Sequence, residues 1–256
     1  MNAVVPISPI QDTIGPMART VVDAAEMLAV MADDPAPSTR FLEWSRLPVD
    51  ERSVSGWRVG VPRNALGDVP AFMMNRFNHA LELLKNQGVE IVDIQFPCVD
   101  KFNEQYTAGP DVICANLAPE FRVAIDEYLA GLESNPNQIR TIQHIIDYMK
   151  KDPREEYSER DTYWLERSAT LDHQSPEYVR GLEESKYFAE EGGILEAVRK
   201  SSLHAIMAPS DANIPNFSAA RGGLPVVSVP LGYTPLDAPV QKNISGRLIS
   251  SGPNIP

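Results

Sequence analysis

The chain is 256 residues long, enough for one large domain or two small ones with a substantial core. Acidic residues outnumber basic ones by 35 to 23, giving a formal charge of −12; without clustered Lys and Arg for phosphate, nucleic acid is not an expected partner. Hydrophobic residues make up 43%, and no run approaches the ~20 apolar residues of a membrane span.

Taken in chain order, Thr20 to Met31 predicts a helix. Thr20 and Asp23 make a capping pair, and Val21, Ala24, Ala25, Leu28 and Met31 recur at helical spacing. Asp33, Asp34 and Pro35 are expected to end it, and a polar linker with three prolines to reach Ser55. Trp57 to Val61 reads as a short strand, and Met73, Phe77, Leu81 and Leu84 mark a helix closed by Gly88. Val89, Ile91 and Ile94 then form a second strand. Strand, helix and strand of this length build a parallel sheet covered by helices.

From about Gln105 to Lys200 the pattern is helical. Leu117, Phe121, Ile125 and Leu129 make one buried stripe, and Ile142, Ile145 and Ile146 another. Breaks fall at Asn135 to Asn137, at Asp152-Pro153 and at Gly192-Gly193. Leu203 to Pro209 and Pro225 to Pro230 read as apolar strands. Cys98 and Cys114 match no zinc or redox spacing and are expected as buried thiols. With no basic region or long apolar run after Met1, the chain is expected in the cytoplasm.

The most specific stretch is Ile7 to Asp23, which contains Asp12, Thr13, Gly15, Pro16, Met17, Ala18, Arg19 and Asp23. It resembles the closing segment of the signature region of the amidase signature family, enzymes that hydrolyse carbon–nitrogen bonds. Trp57 to Ile94, a strand, a helix and a second strand with a Gly-x-x-Val-like start at Gly88, is similar to a second landmark. The order Asn135-Pro-Asn, isoleucine-rich helix, Asp152-Pro-Arg-Glu-Glu-Tyr157 and Trp164 resembles fungal-type members. Ala208-Pro-Ser-Asp211 followed by Ala220 to Gly232 is similar to a third landmark.

The resemblance implies an α/β fold: a mixed sheet flanked by helices as an α/β/α sandwich. Here it would be a single partial domain over 1–256, with a helical insertion at about 105–200 and an irregular tail at 233–256. It also implies acyl transfer by two serines and a lysine. In the family these precede the Ile7 segment, so their matching positions would precede Met1. No catalytic residue is therefore expected within the chain, and no activity from it alone. A completed site would take a small amide. A partner or a second copy would cover the exposed sheet edges. A binding or regulatory module and an incomplete gene product are the alternative readings.

Other chemistry-bearing residues are expected to be structural. Asp12 and Arg19 would pair across the Gly15-Pro16 turn, with Asp12, Thr13, Gly15, Pro16, Arg19 and Asp23 shaping the helix start. Ser228 lacks a nucleophile elbow, and Ser210 and Asp211 read as a turn. His79, His144, His173 and His204 have no metal-ligand spacing, and no cofactor motif is present.

Overall fold

In the computed structural model, which describes residues 4–32, 35–48, 51–109, 115–238 and 240, helix α1 (Val21–Met31) starts where the capping pair places it. Thr20 Oγ1 accepts the Asp23 N–H at 3.1 Å and donates to Asp23 Oδ2 at 2.7 Å. The expected polar linker is instead largely a second helix, α2 (Pro35–Arg46), packed against α1. Its prolines explain the difference. Pro35 and Pro37 lie in the first turn, where an amide has no intrahelical acceptor and a fixed φ suits the helix.

Strand β1 (Arg58–Pro62), helix α3 (Ala71–Asn86) and strand β2 (Glu90–Ile94) form the expected unit. The strands pair in parallel from Arg58 opposite Glu90 to Pro62 opposite Ile94. Gly88, at φ +85°, ends α3: its N–H reaches Lys85 O at 2.9 Å and the Val89 N–H reaches Leu84 O at 3.1 Å. These two bonds satisfy carbonyls that the last turn leaves open.

The helical region comprises α4 (Val99–Ala108), α5 (Leu117–Ala130), α6 (Ile142–Lys151), α7 (Tyr163–Thr170), α8 (Pro176–Ala189) and α9 (Ile194–Ser201). Strand β3 (Ala205–Ile206) then pairs in parallel with the free side of β1, giving the sheet order β2-β1-β3, and α10 (Asn213–Arg221) follows. The fold is α/β, a small parallel sheet flanked by helices.

Alternation along the strands sends side chains to two cores. Val61 and Ile91 meet Phe77 and Leu81 of α3 on one side. On the other, Ile94 joins Phe96, Cys98, Phe102, Phe188, Ala197 and Leu203. A third cluster, of Ile125, Leu129, Ile142 and Ile146, holds α5 to α6 with Leu165 of α7 packed against it. The stripe read from the sequence is thus interhelical core at Ile125 and Leu129.

Two strand expectations change. Leu203 to Pro209 contracts to Ala205–Ile206, and Pro225 to Pro230 forms no strand. A strand exists only by pairing, and prolines at both ends of the second segment remove two ladder donors. Val226, Val227 and Val229 are exposed. Cys98 is a buried free thiol, whereas Cys114 and residues 241–256 lie outside the described residues.

The break at Gly192-Gly193 separates α8 from α9 as expected, and its geometry needs glycine. A Cβ on Gly193 would lie 2.0 Å from the backbone oxygen of Phe188 and 3.4 Å from Ser218 Oγ. Because the nearest atom is backbone, relief requires α8 and α9 to shift. Gly193→Ala is expected to cost about 1–3 kcal/mol as an overpacking change. Chemical denaturation checks this, and an unchanged midpoint would show that the α8–α9 corner yields freely.

Candidate functional site

Ser8 and Glu120, 112 residues apart, meet in the interior. Ser8 is fully buried and Glu120 is 2% exposed. The Ser8 hydroxyl donates to Glu120 Oε2, and Tyr178 Oη donates to Glu120 Oε1 at 3.4 Å. The His173 ring stacks on Tyr178 with centroids 4.9 Å apart. Each partner comes from a different element: the segment before α1, helix α5, helix α8 and the turn before α8.

Burial pushes the Glu120 carboxyl up from the ordinary carboxylate range. Hydrogen bonds from Ser8 and Tyr178 and the nearby His173 pull it back only in part, and Asp12 adds a small push upward. The protonated form is therefore favoured more than in an exposed glutamate. Tyr178 is itself pushed up, by burial first and then by the neighbouring Glu120.

The same segment is folded on itself around Ser8. The Asp12 N–H reaches Ser8 O at 2.8 Å, the Gln11 N–H reaches Ser8 Oγ at 3.1 Å, and Asp12 Oδ2 accepts the Ile7 N–H at 2.7 Å. Asp12 thus braces its own turn. The expected pairing with Arg19 is not formed: among the described residues no ion pair joins them, and Arg19 is exposed. Thr13, Gly15 and Asp23 are also exposed and Pro16 is half-buried, with open space where a Gly15 Cβ would stand.

Beside this network lies a cleft of about 260 Å³ between the Ser8 segment, α8 and α10, lined among others by Ile10, Asn116, Leu182, Leu195 and Arg221. Arg221, at the end of α10, is 9% exposed, and its guanidinium lies over Phe188 at 4.9 Å and over Phe217 at 5.6 Å. Cys98 is near enough to feel that charge, yet burial dominates and pushes its thiol up to about 11. The thiol stays neutral at pH 7 and is a poor nucleophile.

The remaining residues singled out by sequence are dispersed. Ser228 is exposed on the irregular segment, and Ser210 O accepts from Asn216 Nδ2 at 2.7 Å in a turn beside Asp211. His204 stacks on Trp57 and its Nδ1 accepts the Arg58 N–H at 3.0 Å. His144 Nδ1 accepts the Arg140 N–H at 3.1 Å, and His79 is exposed. No cluster of His, Cys, Asp or Glu able to hold a metal occurs among the described residues. No helix among them is long and apolar enough to cross a membrane.

Ser8, Glu120 and Arg221 escape sequence reasoning. A signal for two of them exists: Glu120 falls three residues after Leu117 and four before Ala124, and Arg221 falls four after Phe217, so each charge lies on an apolar helix face. Their partners lie too far along the chain for a local pattern to show.

Comparison with known proteins adds an independent line. The family model described as Amidase matches residues 1–247. A fungal protein assigned as an amidase, from Arthroderma benhamiae, is 32% identical over 265 residues, covering 99% of this chain and 43% of that protein. A glutamyl-tRNA(Gln) amidotransferase subunit from Streptomyces coelicolor is 38% identical over 113 residues, 42% of this chain and 23% of its own length. Peptide amidase from Stenotrophomonas maltophilia shares the fold, with a TM-score of 0.64 and 23% identity over 86% of this chain and 47% of its own. The chain spans less than half the length of the fungal protein and of peptide amidase.

Proposed function

Because the chain belongs to the amidase family, we propose that it is the part of an amide-cleaving hydrolase that follows the catalytic nucleophile, with the Ile7–Asp23 segment as its junction to the catalytic part. The carrying observation is how that segment is held. Ser8 is locked to buried Glu120, while Ile7, Ile10, Ile14 and Met17 face outward at 55%, 54%, 51% and 94% exposure. Val226, Val227 and Val229 add a second exposed apolar run. Side chains of this kind on a buried-type fold are covered by further protein. The two-serine and lysine set that the family uses is supplied by that further protein, and the substrate is a small amide.

The test is hydrolysis of an aryl amide by the purified 256-residue chain, alone and co-expressed with the N-terminal half of the fungal relative. No turnover alone, with turnover on co-expression, is expected. Turnover by the chain alone, abolished by mutating a residue within it that a fluorophosphonate probe labels, would place the nucleophile inside this chain and overturn the division of labour.

A further inference from the structure

We propose that the Ser8–Glu120 contact is a proton-dependent latch, closed while Glu120 is protonated and opened locally, by release of the Ile7–Asp12 turn, as Glu120 ionises. The first observation is where the opening limb of the chain is fastened. From residue 4 to residue 20, Ser8 alone is buried, and α1 packs chiefly on α2. Ile7 and Ile10, on either side of Ser8, are 55% and 54% exposed. The deepest attachment of the turn to the body of the fold is therefore one hydroxyl. The Gln11 N–H on Ser8 Oγ and the Asp12 N–H on Ser8 O close the turn around that residue.

The second observation is what surrounds the acid. A carboxylate ionised in the interior needs its oxygens fully hydrogen-bonded. Glu120 has two side-chain donors, Ser8 and, at 3.4 Å, Tyr178 of α8. The other titratable groups facing it are His173, in the turn before α8, and Asp12, on the latch itself. His173 is exposed, so solvent screens its charge. Arg122, two residues on in α5, directs its guanidinium to Leu171 O at 2.9 Å. Asp12 carries the same charge as an ionised Glu120 and repels it from the side of the turn. Burial outweighs the two hydroxyls, so the closed state favours the proton.

Water reaches the carboxylate at least cost by lifting the turn. Helix α5 is anchored through Ile125 and Leu129 and α8 through Phe188, all in buried clusters. The turn keeps its isoleucines largely in solvent, so lifting it uncovers little apolar surface. Local opening draws on segments with few buried contacts. Where the Ile7–Asp23 segment joins a catalytic part, the closed latch fixes the junction and rising pH frees it. That consequence rests on the function proposed above; the latch itself does not.

Hydrogen exchange of the full chain, followed by NMR over about pH 5 to 8, above the ordinary carboxylate range, tests the latch once each rate is corrected for its intrinsic pH dependence. Protection of the Gln11 and Asp12 amides is expected to fall at least about fivefold as pH rises, because the closed form holds the proton more tightly than the open one. The Phe102 and Met207 amides, bonded to Cys98 O and Gly60 O at 2.9 Å, are reference sites in the core and the sheet and are expected to keep their protection. In Glu120→Gln the Gln11 and Asp12 amides are expected to show no such fall. If that variant unfolds by circular dichroism, the contrast between turn and reference amides in the native chain decides. Flat protection in the native chain, an equal fall at the reference amides, or an undiminished fall in Glu120→Gln would each overturn the latch.

Discussion

Replacing Phe188 by alanine is expected to lower the unfolding free energy by about 3–5 kcal/mol, the range for emptying a buried aromatic site. Phe188 is 1% exposed and joins Ile94, Phe96, Cys98 and Leu203 in the core on the α9 side of the sheet. Its ring meets Phe102 edge-on at 6.1 Å and underlies the Arg221 guanidinium at 4.9 Å. The substitution therefore opens a cavity and removes one of the two rings that steady a buried cation. Domains commonly retain only about 5–15 kcal/mol in total, so the variant should populate unfolded chain in mild urea. Phe188→Leu keeps most of the volume and is expected to cost less. A midpoint shift below that of Gly193→Ala would show that α8 is not anchored through this ring.

How much of this was legible in the sequence depends on how local each cause is. The α1 cap, the Gly88 closure and the Gly192-Gly193 break rest on neighbours a few residues apart, and they occur where the pattern places them. The parallel pairing of β1 and β2 follows from strand lengths and the helix between them. Helix α2 was hidden because its prolines read as breakers, although in a first turn they are neutral. Val226 to Val229 read as a strand because composition records apolar character and says nothing of whether a pairing edge is present. At the site, the Ile7–Asp23 motif announced the family, but not which of its side chains is anchored. Asp12 and Arg19 stood out by charge, yet the buried contact belongs to Ser8, whose partner Glu120 lies 112 residues away.

That contact gives the second large effect, and its sign follows from burial. Glu120 is held above the ordinary carboxylate range in the folded chain, so the native state favours its protonated form. Stability from this group is fully present below the ordinary pKa and is lost as pH rises through the raised value. Each pH unit of that displacement corresponds to about 1.4 kcal/mol. Glu120→Gln keeps the shape and one acceptor oxygen, with its NH2 donating to the hydroxyl that turns to accept, as in the protonated acid, and it does not titrate. It is expected to match the native chain in mild acid and to exceed it in stability at neutral pH and above. Glu120→Ala removes the partner of two buried hydroxyls, and each one left unsatisfied costs about 1–3 kcal/mol. It should also release the segment around Ser8. Backbone amides of Gln11 and Asp12, bonded to Ser8 at 3.1 Å and 2.8 Å, are then expected to exchange with solvent faster in Glu120→Ala than in Glu120→Gln. Equal exchange in the two variants, or a pH–stability curve for Glu120→Gln that tracks the native one, would show that the Ile7–Asp12 turn holds its place without the buried acid.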